Sequence, residues 1–309
     1  VRQATWQALE AAHARRVDAA TAAHRERRLA GRPHPVEDFL FTYYPFRVAQ
    51  LRRWHPGPGV RLRGAADHPR ARWRHYRTVG DTVELDVAAY LSSRGEAVER
   101  VRRLISATAA RPAQLGCFGL HEWAMVYRQT PDEVRHAGWP LRLGSERTDA
   151  VVEAAQLRCS HYDAYRFYTP PARSLNLLRP RRETQVAMEQ PGCLHAGMDL
   201  YKWAMKLAPG IPSDLVMDCF DLAREIRELD MRASPYDLAT LGYDPVRIET
   251  PAGRAEYAAA QRGFAARGQG LRERLLQALA AVVDGGYSVE SWIESSVRAA
   301  PVGSSARMR

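Results

Sequence analysis

Apolar residues recur at helical spacing through most of this chain. Residues 3–30 combine Ala, Gln, Leu, Glu and Arg without glycine or proline, which predicts a long first helix ended at Gly31-Arg32-Pro33-His34-Pro35. Residues 88–110 place Val98, Val101, Leu104 and Ile105 on one side of a second helix, closed by Pro112. Further helices are expected over 115–129, 148–168, 194–207 and 214–232, the last with Ser213 as N-cap and an apolar face of Leu215, Val216, Cys219, Leu222, Ala223, Ile226 and Leu229. A short helical stretch fits 184–190, stopped by Pro191-Gly192, and a long one fits 252–283, weakened by Gly263, Gly268 and Gly270. A last short helix is expected near 288–299, before a disordered tail. Phe39 to Arg47 reads as an aromatic extended segment, and short strands fit 60–63 and 82–87.

The pattern implies a mainly α fold: a compact helical domain with a basic, loop-rich N-terminal extension and at most a small β element. Four regions follow: 1–111, the first helix plus an arginine- and aromatic-rich segment; 112–250, a helical core; 251–300, C-terminal helices; and 301–309, a tail. The 309 residues, 46% hydrophobic and 26% charged, are enough for a sizeable core and ordinary for a soluble protein. No apolar run is long enough to span a bilayer, so no membrane partner is expected. The start lacks the pattern of a signal peptide, and four cysteines make no disulfide framework in a chain this long, so a cytoplasmic location is expected.

Charge changes the picture at the N-terminal end. Residues 1–111 hold 21 arginines against 11 acids, so the whole net charge of +10 lies there. Residues 47–77 contain nine arginines and one acid, Asp67, interleaved with Trp54, Trp73 and Tyr76. That mixture suits phosphates and unstacked bases. Arg47, Arg52, Arg53, Arg72, Arg74 and Arg77 are the candidate phosphate contacts, with DNA as the expected partner and no obligate protein partner. The same composition also suits an arginine-rich loop pairing with acids of its own domain.

Candidate chemistry sits between Leu115 and Pro235. A histidine with a nearby carboxylate recurs three times: His121-Glu122, His161 with Asp163, and His195 with Asp199. Imidazole and carboxylate are common ligands of zinc, iron and manganese. His121, His161, His195 and Asp163 could therefore hold one metal or a carboxylate-bridged pair in a metal-dependent hydrolase or oxygenase acting on a small molecule. That reading is the alternative; the leading expectation is N-glycosidic bond cleavage with no cofactor. It needs a carboxylate beside the sugar and a pocket that stacks an extruded base. Asp199, Lys202, Glu122 and Asp230 are the candidate catalytic groups, with Lys202 also able to form a Schiff base. Tyr127, Tyr162, Tyr165, Phe167 and Trp203 are the candidate base contacts. A third reading is a nucleic-acid-binding protein without catalysis.

Four blocks carry a family resemblance: His34-Pro35-Val36-Glu37-Asp38-Phe39-Leu40-Phe41-Thr42-Tyr43-Tyr44-Pro45-Phe46-Arg47, Gly119-Leu120-His121-Glu122-Trp123-Ala124-Met125-Val126-Tyr127-Arg128, Gln190-Pro191-Gly192-Cys193-Leu194-His195 and Arg227-Glu228-Leu229-Asp230-Met231-Arg232-Ala233-Ser234-Pro235-Tyr236-Asp237-Leu238. Over most of residues 30–265 the chain resembles a family from high-GC bacteria commonly labelled 3-methyladenine DNA glycosylase. The resemblance implies a DNA base-excision enzyme removing alkylated purines. Ala208-Pro209-Gly210-Ile211 is similar to the turn of helix-hairpin-helix glycosylases, whose catalytic aspartate follows about twenty residues later, where Asp230 stands here. Pro212 departs from that pattern by standing in place of the second hairpin glycine and removing an amide donor.

Overall fold

Helix α1 (Gln3–Leu29) turns Trp6, His13, Val17, Thr21 and His24 inward, a spacing that repeats one helical face. In the computed structural model, which describes residues 1–130, 133 and 138–284, it is followed by the short helices α2 (Phe39–Tyr43) and α3 (Val48–Leu51). A two-stranded antiparallel hairpin, β1 (Tyr76–Val79) and β2 (Thr82–Leu85), leads into α4 (Val87–Ala109). Asp86 caps α4 by accepting from the Ala89 amide at 2.9 Å. Then come α5 (Leu120–Ala124), α6 (Gly144–Ala154), α7 (Tyr162–Tyr165), α8 (Pro170–Leu175) and α9 (Gln185–Met188). Three long helices finish the described chain: α10 (Leu194–Lys206), α11 (Ser213–Arg232) and α12 (Pro251–Val283).

Helix α10 is the axis of the fold. From Leu194 to Met205 every residue except Lys202 is buried, and α11 and α12 pack against it. A helix buried on all sides can approach its neighbours closely only where small residues allow it. Gly197 is such a place, because a Cβ there would come within 2.8 Å of Ile226 Cδ1 on α11. The main core runs from Val17 to Val282 and so draws on the 1–111, 112–250 and 251–300 regions together. A second, small cluster joins Trp6, Trp54, Val60, Leu62, Ala65 and Val83. Among the described residues no helix is long and apolar enough to cross a membrane.

The mainly helical fold and the long helices agree with expectation, and five local expectations do not. The aromatic segment from Phe39 is helical up to Tyr43 rather than extended. The strands lie at 76–79 and 82–85, and the 60–63 segment contributes only the bridge Leu62–Val83. The helix expected over 115–129 is confined to 120–124, because Phe118 and Gly119 before it and Arg128 after it adopt positive φ. The helix expected over 148–168 is two helices, α6 and α7, divided by an extended stretch. There the Asn176 side chain holds Cys159, accepting from its amide at 2.8 Å and donating to its carbonyl at 3.0 Å. Ser213 is the first residue of α11, not its cap. Its hydroxyl accepts from the His55 amide at 2.7 Å and donates to the Arg53 carbonyl. The expected helix near 288–299 and the tail lie outside the described residues, as do residues 131, 132 and 134–137.

Candidate metal centre

Three histidines from three elements meet beside α10. His121 stands on α5, His161 immediately precedes α7, and His195 is on the first turn of α10. The His121 and His195 ring centres are 4.4 Å apart, and those of His161 and His195 are 5.3 Å apart. Gly192 sets the approach to α10. A Cβ on it would run into the Gln114 carbonyl, and its own carbonyl accepts from Gln261 Nε2 at 2.6 Å.

Two carboxylate-containing groups form around these rings. One comprises His121, His195 and Asp230, the other His161, Glu189 and Asp199. In each, one ligand atom per residue lies within 4.8 Å of the others, and all six side chains are buried. His121 Nε2 is 3.0 Å from Asp230 Oδ1. Burial opposes a charge on His121, but the Asp230 carboxylate outweighs it and holds His121 well above its ordinary value. His195 has the opposite fate. Burial, reinforced by neighbouring His121, holds it well below the ordinary range, so its imidazole stays neutral.

Asp199 lies deeper. Tyr44 donates its hydroxyl to Oδ1 at 2.8 Å, and Lys202 Nζ donates to Oδ2 at 2.6 Å and to Asp163 Oδ2 at 2.9 Å. Burial alone would raise Asp199, but Lys202 and His161 hold it below the carboxylate range. Lys202 is in turn raised despite burial by Asp199 and Asp163, so it stays an ammonium and is not poised as an amine nucleophile. His161 Nε2 is 3.4 Å from Glu189 Oε1 and from Asp199 Oδ2.

A cleft of about 210 Å³ opens onto this region. Phe39, Tyr43, Phe167 and Met125 give it apolar walls, and Glu122, Asp163, His195 and Arg227 its polar lining. The Phe39 and Tyr43 rings stack at 5.0 Å, with Phe167 edge-on to Tyr43 at 6.5 Å. Arg227 pairs with Glu122 at 3.0 Å and lies 3.6 Å from Asp230.

Of the expected site residues, the fold brings together His121, His161, His195, Asp199, Asp230, Glu122, Asp163, Lys202 and Phe167. Asp163 lines the cleft and bonds Lys202 instead of joining either histidine group. The other aromatics fall outside the cleft lining. Tyr127 bonds Glu153, Tyr162 lies under Arg182, Tyr165 packs on Tyr168, and Trp203 lies under the ammonium groups of Lys202 and Lys206. Glu189, Tyr43, Tyr44 and Arg227 enter the site without having been singled out. The aromatic block at 39–46 and the helical i, i+3 pair Arg227–Asp230 are the signals that could have found three of them. Nothing in the local pattern marks Glu189.

The hairpin-like turn does not face solvent. Pro209 to Ser213 are buried, and a Cβ on Gly210 would meet the Tyr90 ring at 2.8 Å. The Gly210 and Ser213 amides already bond the Leu207 and His55 carbonyls. The basic segment is partly turned inward as well. Arg70 is fully buried, paired with Glu10 at 2.5 Å and ringed by Trp6, Trp54, Trp73 and Tyr76 within 6.0 Å. Arg52 pairs with Asp18 and Arg77 with Glu84, while Arg53 lies over Trp73. All six expected phosphate contacts, Arg47, Arg52, Arg53, Arg72, Arg74 and Arg77, are nevertheless exposed.

Compared with family models, with curated proteins and with solved structures, the chain finds no match.

Proposed function

We propose that this chain is a metal-dependent enzyme, a hydrolase or oxygenase, acting on a small molecule held in the Phe39–Tyr43–Phe167 cleft. The observation that carries this reading is the convergence of His121, His195 and Asp230 in one buried group whose His195 also lines the cleft. Two imidazoles and a carboxylate are a donor set for zinc, iron or manganese. Such an ion would supply an activated water or a site for dioxygen. The chain's own residues do the rest. Glu122 and Arg227 fix each other beside the cleft, and the stacked Phe39 and Tyr43 offer a face to an apolar or planar group. The cleft is smaller than the roughly 300 Å³ at which sites for drug-sized ligands begin, which favours a small substrate. A reducing, cytoplasmic setting suits the four free cysteines.

Elemental analysis of protein purified without an affinity tag tests this directly. About one equivalent or more of iron, zinc or manganese, lost in His195→Ala, is expected. Less than about a tenth of an equivalent overturns the reading.

The base-excision reading draws support from the aromatic cleft walls and the exposed Arg47, Arg72 and Arg74. It expects release of methylated purine from alkylated DNA, and DNA affinity that falls steeply with salt.

A further inference from the structure

We infer that His161, Glu189 and Asp199 form a second divalent-cation site beside the His121–His195–Asp230 group, so that the protein holds a pair of metal ions. The inference rests on the metal-dependent reading above and extends it from one ion to two.

His161 is the independent sign. It is 1% exposed, and neither of its ring nitrogens has a hydrogen-bond partner. A buried histidine with both nitrogens unsatisfied is uncommon in a finished core. Its Nε2 is nevertheless equidistant, at 3.4 Å, from a Glu189 oxygen and an Asp199 oxygen. Hydrogen bonds would draw these atoms closer and align them. Ligand atoms each about 2.1 Å from a tetrahedral ion, by contrast, stand about 3.4 Å apart. Two of the three donor separations therefore match donors around a common centre, and the third lies within 4.8 Å.

The surroundings are those of an oriented ligand set. Tyr44 and Lys202 fix the two Asp199 oxygens, and Gln185 donates to Glu189 Oε1 at 2.5 Å. Lys202 compensates Asp199 and Asp163. Among the described residues no lysine or arginine lies within ion-pair distance of the Glu189 carboxylate. One imidazole and two carboxylates suit zinc, manganese or iron. The 5.3 Å between the His161 and His195 ring centres makes the two groups neighbours.

The test is titration of chelator-treated protein with Mn(II), read by bound metal and by electron paramagnetic resonance. The native chain should bind two equivalents with a spin-coupled spectrum. Glu189→Gln, nearly isosteric, and His161→Ala should each bind one, with the six-line signal of isolated Mn(II). Asp230→Asn should also keep one. A single equivalent in the native protein, retained in both His161→Ala and Glu189→Gln and lost in Asp230→Asn, overturns the second site and leaves the metal-dependent reading standing. Two equivalents undiminished by Glu189→Gln and His161→Ala also overturn it. No binding of Mn(II) or Zn(II) to the native protein overturns both. Circular dichroism of each variant separates loss of a ligand from loss of the fold, and Glu189→Gln keeps the question open to measurement if His161→Ala does not fold.

Discussion

Arg227 lies with its guanidinium carbon 3.8 Å from the centre of the Phe39 ring while Nη1 holds Glu122 at 3.0 Å. One buried side chain thus ties α2, α5 and α11 together at the cleft floor. Removing one partner of a buried ion pair strands the other charge, at a cost of about 3–5 kcal/mol. Arg227→Ala should therefore lower the urea midpoint markedly. The double variant Arg227→Met with Glu122→Gln should recover much of that loss, because neither side then leaves an unpaired charge. Equal midpoints for Arg227→Ala and the native chain would refute the structural role assigned here.

Gly192 should tolerate no side chain. Its Cβ would collide with the backbone of Gln114, which cannot swing away as a side-chain tip can. Gly192→Ala should destabilise by about 1–3 kcal/mol, as overpacking generally does. Because His195 follows three residues later, the variant should also lose metal. Differential scanning calorimetry and elemental analysis on the same sample check both effects.

Acid stability should depend on Asp38. Burial alone would raise this carboxyl, but hydrogen bonds from Arg27 and His24 and from the His34 amide hold it below its ordinary value. A folded value below the unfolded one, about 3.9, gives stability that is complete above that pH and lost as pH falls through the folded value. Asp38→Asn should be less stable than the native chain at pH 7, and the gap should narrow as pH drops below about 4. A gap that stays constant from pH 7 to pH 2 would count against the assignment.

The thiols offer a cheap check on packing. Burial pushes Cys159 up to about 12 and raises Cys193 and Cys219 further, while Cys117 is only half-buried. Thiolate is the reactive form. At pH 8 a disulfide-exchange reagent should label Cys117 at most in the folded protein and all four cysteines in denaturant. Rapid labelling of Cys193 would contradict the burial of the α10 entrance.

Helices α1, α4, α10, α11 and α12 were legible because each is a long run of helix-forming residues bounded by proline or glycine, and their ends fall within a residue or so of expectation. His195, Asp199 and Lys202 share a stripe of α10 as their spacing required, and Lys202 does reach Asp199. The stripe could not reveal that His195 and Asp199 belong to different groups, because the other members, His121 and Asp230 in one and His161 and Glu189 in the other, lie on other elements. His161 was misplaced in the middle of a helix because the Asn176 bonds that hold Cys159 extended are tertiary. The arginine and aromatic interleaving at 47–77 was plain in the sequence, and its direction was not. Composition alone does not tell a guanidinium that faces phosphate from one, like Arg70, enclosed by three tryptophans and a tyrosine.

The six histidine and carboxylate groups come from α5, α10, α11, the entrance to α7 and the exit of α9, with His121 and Asp230 separated by 109 positions. The first trio spans residues 121–230 and the second residues 161–199, so each is assembled only when separate elements pack together. A denatured chain therefore offers an ion only scattered donors, and any affinity belongs to the assembled bundle. Cations then act as folding ligands, raising the melting temperature with the logarithm of their free concentration. A protein of this kind would report its own loading by its resistance to heat.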